Sequence, residues 1–136
     1  MANPSLELQD LLLTTLKADL GVMALIDGIY DNVPTTAFGT KKAYISFGPH
    51  DVIDNGSDCI ESGEHTFQLD CWSRTVGQVA CKNIVDAVKV ALHERDLTLT
   101  NNALVEIRVT MRRVFRDPDG QTSHGVVMVS AIVEET

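Results

Sequence analysis

The first periodicity along the chain is helical. Leu8, Leu12, Leu16 and Leu20 recur every fourth residue, with Leu13 and Met23 beside them, which predicts an amphipathic helix over residues 4–18. Asn3 and Pro4 mark its start: an asparagine side chain accepts from the orphan amides of a first turn, and proline suits the first helical position. Asp19 is placed to cap a short further turn through Ile26, which Asp27-Gly28 ends.

After a polar stretch reaching Lys42, the period falls to two. Residues 43–48, AYISFG, alternate and are rich in β-branched and aromatic side chains, so they read as a strand. Residues 49–63 contain Pro49 and Asn55-Gly56 and no Lys or Arg; they read as a long acidic loop with room for a short strand at Val52-Ile53. His65, Phe67, Leu69 and Cys71 then alternate with Glu64, Thr66, Gln68 and Asp70, the mark of a strand with one solvated face. Val76, Ala80, Ile84, Val88 and Leu92 restore the four-residue step, widened by Val85 and Ala91. They predict a second helix, capped by Ser73 or Thr75 and ending near His93, with Gly77 marking close packing in its first turn. Two long strands follow. Val105, Ile107, Val109 and Met111 share one face of the first, opposite Glu106, Arg108, Thr110 and Arg112; the second, GVVMVSAIVEE, is apolar on both faces and reads as central.

This order predicts an α+β fold: a two-layer sandwich in which two amphipathic helices pack on one face of a mainly antiparallel sheet of four to five strands. The passage through residues 64–111 fits a right-handed strand–helix–strand crossover. No linker or repeat divides the chain, so residues 1–136 are read as a single domain.

At 44% hydrophobic and 22% charged, the composition is that of an ordinary folded domain. No apolar run is long enough to span a bilayer, and the N-terminal residues show no signal-peptide pattern, so no membrane partner is expected. Cys59, Cys71 and Cys81 are odd in number and form no C-x-x-C pair, which points to free thiols in a reducing cytosol. The formal charge of −8 argues against a protein that tracks nucleic-acid phosphates.

The densest chemistry lies in FRDPDGQTSHGVVMV, residues 115–129. Its Asp117-Pro118-Asp119-Gly120 sits where two strands must reverse, and each residue type suits its place in a type I turn. The further oxygen ligands of a calcium loop are missing. His50, His65, His93 and His124 show no metal-ligand spacing, and no nucleophile, phosphate-loop or dinucleotide motif is present, so neither catalysis nor a cofactor is expected.

Charge is unevenly placed. Residues 104–116 hold Arg108, Arg112, Arg113 and Arg116 against Glu106, a net +3. Residues 51–64 hold Asp51, Asp54, Asp58, Glu61 and Glu64 without a cation, a net −5. Either these are solvated faces paired within one copy, or they meet across a subunit boundary, which repeated head to tail closes a ring.

Four segments together resemble the tail-completion (tail terminator, head–tail joining) proteins of long-tailed phages, prophages and gene transfer agents. These are the N-terminal LELQDLLLTTLKADLGVMALIDGIYDNVP, EHTFQLDCWSR with the helix after it, LHERDLTLT, and VFRDPDGQTSHGVVMVSAIVEE. The resemblance implies a non-enzymatic virion protein of the tail and neck, assembled in the host cytoplasm. It would form a ring, commonly a hexamer, at the head-proximal end of the tail tube. Its partners would be further copies of itself, the tail tube protein and a head connector or stopper protein, with DNA passing through unbound. The matching positions Trp72, Ser73, Arg74, Asp117 to Gly120 and His124-Gly125 are then architectural, with Trp72, Arg74, Asp117, Asp119 and His124 as candidate interface residues. An acidic protein at a DNA passage would repel phosphate, and the polar segments 31–42 and 49–63 would order only on assembly. Two other classes compete: a small cytosolic ligand-binding α+β domain, and a hydrolase using His65, Cys71 or His124.

Overall fold

The computed structural model describes residues 3–136. Helix α1 (Pro4–Ala18) begins as expected: the Asn3 side chain accepts from the amides of Ser5 and Leu6, and Pro4 opens the first turn. Asp19 caps the one-turn helix α2 (Leu20–Met23) by accepting from Val22 N. The remaining elements are β1 (Ile29–Tyr30), β2 (Ala43–Asp54), β3 (Glu61–Ser73), α3 (Val79–Leu92), β4 (Ala103–Arg116) and β5 (Ser123–Glu135).

The strands form one open sheet in the order β1-β2-β3-β5-β4, antiparallel except for β1 against β2. Strands β3 and β4 run the same way on either side of β5, so α3 crosses over β5, as a strand–helix–strand unit requires. The fold is thus the expected α+β sandwich. Leu8, Leu12 and Leu16 of α1 and Ile84, Val85, Val88 and Leu92 of α3 pack with Ile45, Phe67, Leu69, Val127, Val129 and Ile107 of the sheet in one buried core.

Four expectations are corrected. First, residues 49–63 are not a loop: β2 runs on to Asp54 and pairs with β3, leaving 55–60 as a tight tip. Pro49 is tolerated because it lies in the bulge between Phe47 and His50, on a stretch of β2 with no outer neighbour. Second, residues 31–42 are fastened within a single copy. The Asp27 carboxylate accepts from the amides of Gly39, Lys41 and Ala43 at 2.8–3.2 Å. Burial would raise its pKa, but those amides outweigh it and hold the group below the ordinary carboxylate value. Third, α3 starts at Val79, not at a Ser73 or Thr75 cap; Ser73 Oγ instead accepts from Thr75 N in the preceding turn. Gly77 has φ +80° and nothing within 4 Å of a Cβ placed on it, so it serves backbone conformation rather than close packing, and Val76 is 97% exposed.

The fourth correction concerns β4. Bulges between Leu104 and Glu106 and between Val109 and Met111 each insert an unpaired residue and break the simple alternation. Leu104, Ile107, Val109 and Val114 therefore pack against the core, whereas Val105 and Met111 are exposed. The second bulge also turns Arg112 toward the helix layer, where it pairs with Asp86 of α3 at 3.4 Å.

Candidate assembly surfaces

The two motifs in the sequence that looked most chemical meet at one end of the sheet. Ladder pairing sets Trp72 opposite His124 and Ser73 opposite Ser123, which brings the Trp72-Ser73-Arg74 strand end against the hairpin that follows Arg116. Alternation along β3 and β5 puts Trp72, Asp70 and His124 on the face without helices. There the Trp72 indole stacks on the His124 ring with centroids 3.9 Å apart, and Phe115 lies at 4.7 Å. His124 Nε2 is 2.7 Å from Asp70 Oδ1, Gln68 donates to the same oxygen, and Trp72 Nε1 donates to Ser46 Oγ at 3.0 Å.

The hairpin is the turn that its residue types require. Asp117 N donates to Thr122 O, Gly120 N donates to Asp117 O, and Gly120 adopts φ +73°. Asp119 binds the turn together, accepting from the amides of Gln121 and Thr122 and from Thr122 Oγ1. The Thr122 hydroxyl and amide, then the Gln121 amide, hold its pKa below the ordinary value. Arg74 lies 4.2 Å above the Phe38 ring and its Nε reaches Thr122 Oγ1 at 3.5 Å. The motif thus builds a corner of the fold.

A His–Asp pair invites comparison with a hydrolase, but the parts do not converge. His65 and Cys71 lie on the helix-facing side of β3, opposite to the side that carries His124. Cys71 is fully buried, and burial, reinforced by the neighbouring Cys81 and Asp70, pushes its thiol well above the ordinary pKa; Cys81 is pushed up to about 11. Thiols in that state are poor nucleophiles. Ser46 Oγ, the hydroxyl beside Asp70, is engaged by the indole N–H. No group of three or more metal-ligating side chains occurs among the described residues. A groove of about 590 Å³ between α1 and residues 98–101 contains Glu7, whose carboxylate is occupied by Asn101 and the backbone amide of Asn102.

Sequence spacing missed one contact entirely. His50 and His65, fifteen residues apart, meet across β2 and β3 with Nε2 and Nδ1 3.0 Å apart. His65 is fully buried and its Nε2 has no hydrogen-bond partner. Burial lowers both pKa values; the Asp51 charge opposes this at His50, whereas the His50 charge adds to it at His65. The pair is therefore held neutral, with His65 Nδ1–H donating to His50 as the arrangement that leaves least unsatisfied.

The charged clusters lie mostly apart on the sheet, although Glu64 of the central strand β3 shares a depression with Glu106 and Arg108 across β5. The acidic one occupies the β2–β3 hairpin, where residues 51–61 are all exposed; none of Asp51, Asp54, Asp58, Glu61 or Glu64 forms an ion pair among the described residues. The basic one follows β4, the far edge strand, where Arg108 faces Glu94 and Glu106 at 3.9 and 3.7 Å and Arg112 faces Asp86. Arg113 rests over Phe115 at 5.1 Å, and neither Arg113 nor Arg116 joins an ion pair among the described residues. Register puts Asp54 level with Leu104, and Arg116 level with Ala43. Asp54 and Arg116 therefore stand at diagonal corners, about 30 Å apart along the strands at ~3.3 Å per residue.

A family model for "Tail completion protein gp17" matches residues 10–134. The chain belongs to the tail completion protein gp17 family. That membership makes it a structural protein of phage-like tails and places it in the virion, at the tail and neck. A solved structure described as "Virion of native gene transfer agent (GTA) particle" contains a similar chain, with 27% sequence identity and a TM-score of 0.84, covering 93% of this chain and 94% of that one. Comparison with curated protein sequences gives no match. No helix among the described residues is long and apolar enough to cross a membrane.

Proposed function

We propose that this tail completion protein closes into a head-to-tail ring at the head-proximal end of the tail tube, where it stops tube growth and joins the tail to the head connector. The observation that carries the reading is the separation of charge. Glu64 approaches Arg108 across β5 within one copy, but the tip acids Asp54, Asp58 and Glu61 and the arginines Arg113 and Arg116 form no ion pair among the described residues and stand at opposite ends of the two hairpins, so each finds its complement on a neighbour. Family membership supplies the tail context, and the resemblance supplies the hexamer, the tube protein and the connector or stopper as partners. The net charge of −8 favours a lumen through which DNA slides without binding. A non-enzymatic role agrees with the family, and among the described residues the hydroxyl nearest the His124–Asp70 pair, Ser46 Oγ, is engaged by the Trp72 indole.

Because Arg112 and, more loosely, Arg108 already have partners within the copy, Arg113 and Arg116 are the arginines left for a neighbour. The test is electron microscopy of particles produced without this protein. The reading expects tubes that overrun their normal length and fail to join heads. Tubes of normal length carrying heads would refute it.

A further inference from the structure

Resting on that ring reading, the geometry points to one specific contact between copies: the tip of the β2–β3 hairpin seats in an arginine-lined notch at the diagonal corner of the next copy. The notch, about 450 Å³, lies between the residues leading into α3 and the β4–β5 turn, and Arg74, Val76, Gly77, Arg116 and Gln121 line it. Its two arginines join no ion pair among the described residues, and Val76 stands at its rim almost wholly in solvent. Asp119 of the adjoining turn feels the Arg74 charge but spends its oxygens on Gln121 and Thr122, so the arginines still face the notch, and with the exposed aliphatic rim this fits an occupant that is both acidic and aliphatic.

The hairpin tip of a second copy has that chemistry. Asp54, Asp58 and Glu61 surround exposed Ile53 and Ile60. It is also a preformed finger. Asn55 N donates to Ser62 O, and Ser57 and Ile60 exchange backbone hydrogen bonds. A β-carbon at Gly56 would lie 2.5 Å from Ile60 O, so the turn is as tight as its backbone allows. A rigid finger loses little entropy on docking.

Edge-to-edge pairing along the whole length of the two charged strands is interrupted. On β2, β1 occupies the edge at Ile45-Ser46, and a bulge with Pro49 follows. On β4, Glu94 N donates to Ile107 O and His93 Nδ1 accepts from Val109 N, so the outer edge is capped between two bulges. Such devices prevent strand addition. The staggered corner contact needs no strand addition, leaves both sheets intact and repeats around a ring.

Native Cys59 sits exposed at the fingertip, whereas Cys71 and Cys81 are buried, so the protein carries its own reporter thiol. Val76→Cys is introduced, the tails are purified, and a short bis-maleimide is added. The contact predicts a ladder of dimers, trimers and higher species that vanishes when Cys59→Ser is added. Gln121→Cys, on the opposite wall, gives the same ladder. Tails that incorporate the protein but give no cross-link from either position, or dimers only, overturn the contact and leave the ring reading standing. Overrun tubes on deletion test that reading separately. If neither cysteine variant enters tails, charge exchange decides: Arg116→Glu blocks incorporation and adding Asp58→Arg restores it, whereas absence of restoration overturns the contact.

Discussion

Gly125 follows His124 in the hairpin motif, and its replacement tests how closely α3 lies on the sheet. A β-carbon at this position would stand 2.6 Å from Val85 Cγ2, 2.9 Å from Cys81 Sγ and 3.3 Å from Cys71 Cβ. Favourable carbon contacts lie at about 3.5–4.0 Å, so α3 must lift by on the order of 1 Å or Val85 must leave its rotamer. Gly125 cannot withdraw instead, because it is paired on both sides, with Cys71 of β3 and Val114 of β4. Forcing an extra carbon into a packed core costs about 1–3 kcal/mol. Removing the glycine offsets about 0.4–1 kcal/mol of that by restricting the unfolded chain. Gly125→Ala should therefore lose roughly 1–2 kcal/mol, which for a domain of this size lowers Tm by roughly 4–10 °C. Circular dichroism melts and urea titration at unchanged m-value would measure it. Adding Val85→Ala removes the methyl group that is struck, so the two losses should fall short of additivity by about 1 kcal/mol. Gly77→Ala is the contrasting case: the space is open and the loss, about 1–2 kcal/mol, comes from φ +80° alone, so Val85→Ala gives it no relief. A neutral Gly125→Ala, or losses that simply add, would show that α3 does not lie against β5 as described.

Three further outcomes follow from named contacts. Both histidines of the buried pair have lowered pKa values, so the unfolded chain takes up protons that the folded protein refuses. Stability should thus be full above about pH 6.5, the unfolded value, and fall as pH drops below it; urea titrations from pH 7.5 to 5 should show this slope, and His65→Phe should flatten it. Ser46→Ala leaves the half-buried Trp72 N–H unpaired, at a cost of about 1–2 kcal/mol and with a shift in the emission of the chain's single tryptophan; unchanged emission would mean that this hydrogen bond is not formed. Asp119→Ala should speed amide hydrogen exchange at Gln121 and Thr122 while leaving the β3–β5 ladder protected. Equal acceleration in both places would make Asp119 a global rather than a local support.

The helices and the ladder strands were legible because one physical cause, burial of a single face, leaves a period in the sequence. Leu8, Leu12 and Leu16 face the core for that reason, as do Phe67, Leu69 and Cys71. Period fails where the backbone adds a residue. The bulges near Val105 and Thr110 are set by cross-strand geometry that β4 alone does not record, so Val105 and Met111 read as core and Arg112 as a solvent-facing partner of Arg108. Composition misled at 49–63, where proline, glycine and acids signal a loop but an edge strand tolerates all three. The His50–His65 contact and the stacking of Trp72 on His124 depend on which strands are neighbours, and no spacing within the sequence encodes that. The residues of the corner were therefore identified before the corner itself was.

The charge pattern also constrains the symmetry of the assembly. A twofold axis through the hairpin tip would set Asp54, Asp58 and Glu61 against their own copies, and one through the notch would set Arg74 and Arg116 against theirs. Like charges brought together at an interface oppose association. Each corner is thus ill-suited to an isologous contact and well-suited to a heterologous one, in which every copy offers one acidic and one basic corner. Heterologous contacts either close into rings or run on as filaments, according to whether the rotation between copies closes. The two corners lie on different strands and at different heights, so the step between copies combines a shift along the strands with a rotation. A ring then requires that this shift leave no net rise along the axis of assembly, and any residual rise would turn the same contact into an open spiral.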